Sequence, residues 1–325
     1  MSERTRYQWL ERVYPCGDHR GAEVVATMLD ASEARGRPPR LHEVVGVLGH
    51  ATRARLGLGP DRFAGKVLEG ASLPGLMVGM ALAVFLLIWG EWLPDHYNPG
   101  PPLGTQFGPF VTVAPIAYFV WILSSMYAVG VPRHRRPASA IAVTSACAVV
   151  IAGKLVGLSP NVALLGTLAL LGVPGMVAST DLPSARQVGA AFGVGALTFG
   201  LLSWLGMTIF SHIETFYWYG ASALNRGLLW VMLTALFGAV ALYLTGRRVW
   251  GGVVVLLTSP FALTALSVVL DGHELYRPPG NVLRAWLTIA IAACGLLGLL
   301  VLWLLDLRQG TSLAASDESP TLARE

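Results

Sequence analysis

The chain has little charge for its length. Only 13% of its 325 residues are Asp, Glu, Lys or Arg, whereas 54% are hydrophobic. Soluble domains carry about 25% charged residues. This shortage of charge excludes an ordinary soluble enzyme and a disordered chain. It favours a protein that crosses a membrane several times.

Cysteine and the familiar catalytic motifs are also scarce. The three cysteines, Cys16, Cys147 and Cys294, lie far apart and show no Cys-x-x-Cys or zinc-type spacing. The sequence contains no Walker A motif, no His-Glu-x-x-His helix and no Gly-x-Ser-x-Gly elbow. We therefore expect no enzymatic activity, no catalytic residue, no cofactor and no ATP hydrolysis by this chain.

The charge that is present is unevenly distributed. Residues 1–70 hold nearly half of the charged side chains, and the long stretch after them holds few. This predicts a cytoplasmic helical head at 1–70, a transmembrane helix bundle at 71–307 and a disordered cytoplasmic tail at 308–325. Acidic and basic residues nearly balance in the head, which predicts no direct nucleic-acid binding and fits a position beside anionic membrane lipid.

Apolar periodicity predicts three short helices in the head, at residues 5–14, 21–33 and 41–56. The third helix carries an apolar stripe that we expect to face the second helix. The stripe is Leu41, Val44, Val45 and Leu48, and its expected partners are Val24, Val25, Met28 and Leu29. A core this small predicts a head of marginal stability that is stabilised by contact with the membrane body or with a partner.

A sequence pattern in the head carries a resemblance. The pattern is Leu10-Glu11-Arg12-Val13-Tyr14-Pro15, His19-Arg20, Glu23 and Met28-Leu29-Asp30. Over about residues 1–60 it resembles the helical prefix that precedes the membrane part of some actinobacterial permeases and other multi-pass proteins. Here Cys16-Gly17-Asp18 replaces the basic and aromatic stretch of that prefix. The resemblance implies a cytoplasmic docking or regulatory head, sometimes encoded beside a PadR-like repressor, and it implies no catalytic residue.

The rest of the sequence consists of apolar runs. A helix needs about 20 apolar residues to span the hydrocarbon core. The runs that qualify are residues 72–92, 110–129, 138–158, 161–179, 187–210, 227–245, 249–270 and 285–305. The predicted fold class is therefore all-α: a polytopic membrane bundle of about eight transmembrane helices with a small N-terminal three-helix cytoplasmic domain.

Basic residues in the short loops predict the orientation. Loops with an excess of Lys and Arg stay in the cytoplasm. The second loop contains Arg133, Arg135 and Arg136, and the sixth contains Arg247 and Arg248. We expect a protein of the cell membrane with both termini in the cytoplasm.

The predicted spans contain almost no charge. Lys154 is the one ionisable candidate in the interior of a span, and it is interpreted either as a lysine that snorkels to the interface or as a functional cation. We expect no Asp or Glu in the middle of a span, which disfavours a proton-driven pump because such pumps carry acidic relays.

Small and helix-breaking residues punctuate the spans. Gly189 and Gly193 form a Gly-x-x-x-Gly pattern that is typical of close helix packing. Pro115, Pro174 and Pro260 fall within the spans. They predict helix kinks, or else broken helices around a substrate.

Three outer loops each combine histidine with a carboxylate. The residues are Asp95, His96, His212, Glu214, His273 and Glu274. Imidazole and carboxylate together suit Zn²⁺ or a similar ion, so these loops are a candidate metal site. The alternative is an aromatic interfacial cap without a ligand, because Trp and Tyr gather at membrane surfaces.

Three functions remain open at this point. The first is a regulatory membrane protein whose head docks a cytoplasmic regulator. The second is a transport component, either a carrier or an ABC-type permease subunit served by a separate ATPase that binds residues 1–70. The third is a membrane enzyme that modifies a lipid.

Overall fold

The computed structural model describes residues 7–14, 19–59, 62–92, 110, 112–157, 161–178, 183–210, 216–270 and 279–317. Within these ranges the chain is helical apart from short connections. It divides into two compact units, one made of Met1–Lys66 and Leu300–Glu325 and the other of Val67–Leu299.

The first unit begins with a 3-10 helix at Gln8–Val13, followed by α1 (His19–Ala34) and α2 (Leu41–Arg55). Their shared core contains Leu10, Tyr14, Val25, Met28, Leu29, Val47 and Ala51. Because Gly21 has no side chain, the Tyr14 ring can lie directly against the α1 backbone.

One ion pair joins the end of α1 to the start of α2. The Arg35 guanidinium donates two hydrogen bonds to the Glu43 carboxylate, at 2.6 and 2.9 Å. Hydrogen bonding to Glu43 raises the pKa of Arg35 above its ordinary value. Glu43 Oε2 also accepts from the Arg40 backbone N–H at 2.8 Å, which helps to start α2.

The face of α2 matches the predicted stripe only in part, because Val44 and Leu48 pack against the core as predicted whereas Leu41 and Val45 do not. Leu41 is 80% exposed and Val45 is 57% exposed, so neither packs in the core. Val47 and Ala51 are buried instead, one step around the helix. Packing explains the difference, because Tyr14 fills the groove between α1 and α2 and the small side chain of Ala51 lets α2 approach the rest of the core closely. The predicted partners on α1 do lie in or against the core.

The helices after the head follow the apolar runs. They are α3 (Phe63–Phe85), continued by a π-helical turn at Leu86–Trp92, α4 (Pro115–Gly130), α5 (Arg135–Val156), α6 (Val162–Val177), α7 (Ala185–Phe210), α8 (Phe216–Leu244), α9 (Arg248–Thr258), a 3-10 turn at Ser259–Phe261, α10 (Ala262–Leu270) and α11 (Pro279–Asp317).

In the part of the chain that the structure describes, six helical segments are long and apolar enough to cross a membrane. They are Phe63–Glu91, Pro132–Val156, Ala185–Trp204, Gly227–Leu244, Arg248–Leu266 and Val282–Arg308. The apolar helices α4 and α6 are shorter, with 16 residues each. The all-helical architecture is confirmed, and its composition is that of a membrane-embedded protein.

The second unit is built around α3 and Trp121. In the most apolar window of the segment Phe63–Glu91, 67% of residues are buried, against 11% for Ala185–Trp204. Trp121 of α4 is fully buried beside Gly79 of α3 and Gly172 of α6. Large apolar side chains cover the outer faces of the helices, as expected for surfaces that face lipid.

Among the described residues, no close packing is found at the Gly-x-x-x-Gly pattern, contrary to the prediction. A Cβ atom added at Gly189 or at Gly193 would have no neighbour within 4 Å. Close helix approach occurs instead at Gly79 and Gly172, where the ring of Trp121 fills the space. Sequence spacing identifies small residues, but it does not show which of them meet another helix.

Two further predictions are corrected at helix ends. Pro115 is the first residue of α4, where its missing N–H is not needed, so it begins this helix and does not kink it. The segment 308–325 was predicted to be disordered, but α11 continues as far as Asp317. Residues 318–325 lie outside the described residues.

Candidate functional site

The predicted outer metal site falls on segments that the structure does not describe. Asp95, His96, His212, Glu214, His273 and Glu274 all lie outside the described ranges. In the described part of the chain, no group of three or more His, Cys, Asp or Glu side chains could hold a metal ion. The outer site therefore stays a prediction.

The most connected polar contacts of the first unit lie where the head joins α3. The connection between α2 and α3 is held by the last turns of α11. We call this set of residues the junction clamp: Leu56, Gly57, Arg62 and Phe63, held by Trp303, Asp306 and Leu307.

The first half of the junction clamp fixes the end of α2. The indole N–H of Trp303 donates to the Leu56 carbonyl at 2.9 Å. At Gly57 the backbone takes a φ of +65°, a conformation that glycine adopts readily. The side chain of Leu307 lies over Gly57, where an added Cβ would overlap it. The turn after α2 is therefore closed by residues of α11.

The second half fixes the start of α3. The Asp306 carboxylate accepts from the Phe63 backbone N–H at 3.2 Å, and Arg62 Nη1 donates to the Asp306 carbonyl at 3.2 Å. A carboxylate at a helix N-terminus is favourable because unpaired N–H groups concentrate positive charge there. Asp306 thus caps α3 from a helix almost 250 positions later in the sequence.

A buried carboxyl group lies at the other end of α3. Glu91 belongs to the π-helical turn and is only 6% exposed. Its two oxygens accept from Thr112, one from the backbone N–H at 2.8 Å and one from the hydroxyl at 2.7 Å. Thr112 Oγ1 in turn accepts from the Ala114 N–H at 3.0 Å, just before α4 begins.

Within the described residues, no basic side chain is bonded to Glu91. Desolvating a lone carboxylate costs several kcal/mol. Two hydrogen bonds to a charged group return about 1.5–3 kcal/mol each. The two hydrogen bonds from Thr112 therefore offset part of the cost of burying this carboxyl group.

Sequence reasoning included Glu91 at the end of the predicted run 72–92 but did not predict its burial. A signal was available, because Glu91 follows Leu87, Ile88 and Trp89 and precedes Trp92. An acid surrounded by large apolar residues is more often inside a helix bundle than in a solvated loop.

Two arginines of the predicted cytoplasmic loop bind neighbouring helices in the second unit. Arg135 is 4% exposed and donates from Nη1 to the Ser72 hydroxyl at 2.8 Å. Arg136 donates from Nε to the Ala178 carbonyl, just after α6, at 2.6 Å. These two side chains tie α5 to α3 and to α6. Lys154 is exposed in the last turn of α5, consistent with a snorkelling lysine.

One helix of the second unit is interrupted. The 3-10 turn at Ser259–Phe261 separates α9 from α10, with the buried Pro260 at its centre. The hydroxyl of Thr167 in α6 lies 2.9 Å from the Ala163 carbonyl of its own helix and 3.1 Å from the Pro260 carbonyl, so its one proton is shared between these two acceptors. Of the three prolines predicted in spans, Pro260 produces the clearest break.

Comparisons with known proteins do not assign a function to these residues. The chain matches no protein-family model, no curated protein and no solved structure. Function therefore has to be argued from the junction clamp, the buried carboxyl group at Glu91 and the interrupted helix between α9 and α10.

Proposed function

We propose that this is an integral membrane protein with a regulatory head, residues 1–70, that docks a cytoplasmic partner. The junction clamp is the observation that carries the proposal. A partner that displaces α2 pulls on Leu56 and Phe63, and these backbone groups are bonded to Trp303 and Asp306 of α11. The clamp is therefore a mechanical connection between the head and the last long helix.

The surface of the head supports the same function. Leu41 and Val45 are exposed on one face of α2, where they offer a partner apolar contact without disturbing the core. The resemblance of residues 1–60 to a permease prefix points to the same kind of head. The partner class is a regulator or an ATPase, and lipid is the second partner of the chain.

Site-specific crosslinking in the full chain tests the proposal. A photoreactive residue at position 45, in native membranes, should crosslink to one protein partner. Placed at the exposed Ile151 of α5, the same group should crosslink to lipid. If position 45 yields only lipid or solvent products, the head does not dock a protein. The Trp303→Phe variant should still bind the partner and crosslink at position 45. If the partner then no longer protects residues 56–63 from deuterium exchange, the junction clamp transmits the effect of binding.

The topology that goes with this function has eight membrane crossings. Support comes from the six long apolar helices and from the shorter α4 and α6, which lie in the runs that predict spans. The basic residues Arg133, Arg247 and Arg248 are exposed between helices, as cytoplasmic loops require. Both termini then lie in the cytoplasm, and the protein belongs to the cell membrane.

A transport component is the second candidate, and the interrupted helix favours it. Transporters bind substrates where a span is broken and its backbone groups are freed. The 3-10 turn around Pro260 is a local irregularity within the helical segment Arg248–Leu266, and the Thr167 hydroxyl lies 3.1 Å from a carbonyl inside it. Solute uptake by vesicles containing the purified chain would support this candidate if Thr167→Val changed the rate and Thr288→Val did not. Equal rates in vesicles with and without the chain would exclude a stand-alone carrier.

A further inference from the structure

We propose that the residues around the junction clamp form a binding surface for anionic phospholipid, which holds the end of α2 against the membrane. The proposal goes beyond the docking of a protein partner, because that partner is placed on Leu41 and Val45 at the opposite end of α2. This helix has 15 residues, so its two ends are about 22 Å apart. The two surfaces can therefore be tested separately.

Basic side chains collect around the junction clamp. In the described segments 9–13, 53–59, 62–66 and 300–308, six side chains are basic and two are acidic. We call the basic ones the basic edge: Arg12, Arg53, Arg55, Arg62, Lys66 and Arg308. The acidic ones are Glu11 and Asp306, and the Asp306 carboxylate already accepts from the Phe63 N–H. This surface therefore has an excess of positive charge, which attracts anionic lipid.

Hydrogen bonds bring the basic edge together from three parts of the sequence. Arg55 Nη2 donates to the Arg12 carbonyl at 2.7 Å, so the first 3-10 helix lies beside the end of α2. Arg62 Nη1 donates to the Asp306 carbonyl at 3.2 Å, two residues before Arg308. Four of the six basic side chains are exposed, so that a lipid headgroup can reach them: Arg12, Arg55, Lys66 and Arg308.

The length of α11 places the basic edge at the level of the lipid headgroups. The apolar segment Val282–Arg308 has 27 residues, which at 1.5 Å per residue makes it about 40 Å long. A hydrocarbon core is about 30 Å thick, so a centred segment extends about three residues beyond it at each end. Asp306 lies in the last three residues and bonds the start of α3. The junction clamp therefore lies where α11 leaves the hydrocarbon core.

Exposed apolar side chains next to the basic edge identify the ligand as a lipid. Leu304 and Leu305 are exposed on α11, within one turn of Arg308. This order of side chains matches the acyl chains and the headgroup of one phospholipid. An acidic protein could contact the arginine, but it could not reach leucines that lie inside the membrane. Trp9 is exposed beside Arg12, and tryptophan is enriched at membrane interfaces.

Hydrogen exchange of the full chain in vesicles tests the proposal. Vesicles of phosphatidylcholine are compared with vesicles that contain about one third phosphatidylglycerol, an anionic lipid. The anionic lipid should slow exchange several-fold in residues 9–13 and 53–58 but not in residues 22–30 of α1. The slowing should disappear at an ionic strength of about 1 M, where the Debye length is about 3 Å. Equal exchange in the two kinds of vesicle would overturn the proposal, whatever the orientation of the chain, because both leaflets contain phosphatidylglycerol.

Two charge-removing variants separate a localised surface from a general attraction. Arg12→Gln keeps the hydrogen bond from Arg55, because that bond uses the Arg12 carbonyl. It should weaken the effect of phosphatidylglycerol about fivefold, the factor expected when one cation is lost from an anionic surface. Arg37→Gln has the same net charge and is the matched control, because Arg37 is exposed in the turn before α2. It should keep the full effect, and equal losses in the two variants would contradict the localised surface.

Inorganic phosphate distinguishes a lipid from a soluble anion. It is added to the chain in phosphatidylcholine vesicles, where it supplies the charged group without acyl chains. Phosphate should not reproduce the slowing, because it makes no contact with Leu304 and Leu305. If millimolar phosphate slows exchange in residues 9–13 and 53–58 as much as phosphatidylglycerol does, the basic edge binds a soluble anion and its assignment to lipid is wrong.

Discussion

Trp121 shows how single side chains decide where these helices meet. Its ring is fully buried, and it lies where Gly79 and Gly172 leave room for it. A Cβ atom at Gly79 would lie 2.5 Å from Trp121 Nε1, and one at Gly172 would lie 2.5 Å from Val143 Cγ2. Real Cβ contacts are longer, so a methyl group at either position forces the helices apart.

Gly79→Ala should therefore destabilise the protein by about 1–3 kcal/mol, the usual cost of overpacking a tight core. Gly193→Ala is the matched control, because its added methyl group meets nothing within 4 Å. It should be neutral or slightly stabilising, since alanine favours helix by about 0.5–1 kcal/mol. Thermal unfolding of both purified variants in one detergent measures the difference. Equal midpoints would show that the contact at Trp121 relaxes freely.

Two glycines of the first unit allow the cost of an unfavourable backbone conformation to be measured separately from the cost of a steric overlap. Gly57 and Gly36 both have positive φ values, +65° and +60°. Alanine costs about 1–2 kcal/mol in this conformation at either position. At Gly57 the methyl group also overlaps Leu307, whereas at Gly36 it has no neighbour within 4 Å. Gly57→Ala should therefore make residues 41–63 more sensitive to protease than Gly36→Ala does, and equal sensitivity would argue against the clamp.

At the scale of the element, Thr167 tests how the interruption between α9 and α10 is held. Thr167→Val removes the hydroxyl that bonds Pro260, a contact worth about 0.6 kcal/mol and at most about 1.7 kcal/mol among membrane helices. Thr288→Val is the control, because that hydroxyl bonds the Arg284 carbonyl one turn earlier in its own helix. Hydrogen exchange in residues 259–263 should rise in the first variant only. If hydrogen exchange in these residues rises in both variants, the 3-10 turn is sensitive to the loss of any buried hydroxyl and not to that of Thr167 in particular.

The helices themselves could be predicted from the sequence, because the length of an apolar run is a local property. All eight predicted runs are helical over most of their length. The rotation of α2 could not be predicted, because two apolar stripes compete on that helix and only the position of Tyr14 decides between them. The burial of Glu91 depends on a π-helical turn, and no residue pattern in the run 72–92 predicts that turn.

The junction clamp also lay beyond sequence reasoning. Trp303 and Asp306 are ordinary residues for the end of a predicted span, where aromatic and charged side chains are common. Their role comes from a contact with residues 56–63, far away in the sequence. Single-sequence patterns report helical faces and loop charge, but they do not report which distant segments are neighbours.

At the scale of the whole molecule, cysteine labelling tests the orientation. In a chain with Cys16, Cys147 and Cys294 replaced by serine, Gly100→Cys should react with an impermeant thiol reagent added to intact cells. His134→Cys should react only after the membrane is opened, because the basic loop around it is expected to be cytoplasmic. The reverse pattern would invert the topology, and reaction of both before opening would reduce the number of crossings between them.

The two 16-residue helices have a consequence for the choice of membrane. At 1.5 Å per residue, α4 and α6 are about 24 Å long, whereas an average hydrocarbon core is about 30 Å thick. Both expose large apolar side chains, among them Leu123 and Leu170, and these side chains can contact the acyl chains of the lipid. With eight crossings, the surrounding lipid has to thin beside these two helices, at a cost of fractions of a kcal/mol per ångström of mismatch. The protein should therefore partition into thinner bilayer regions and be most stable in short-chain lipid.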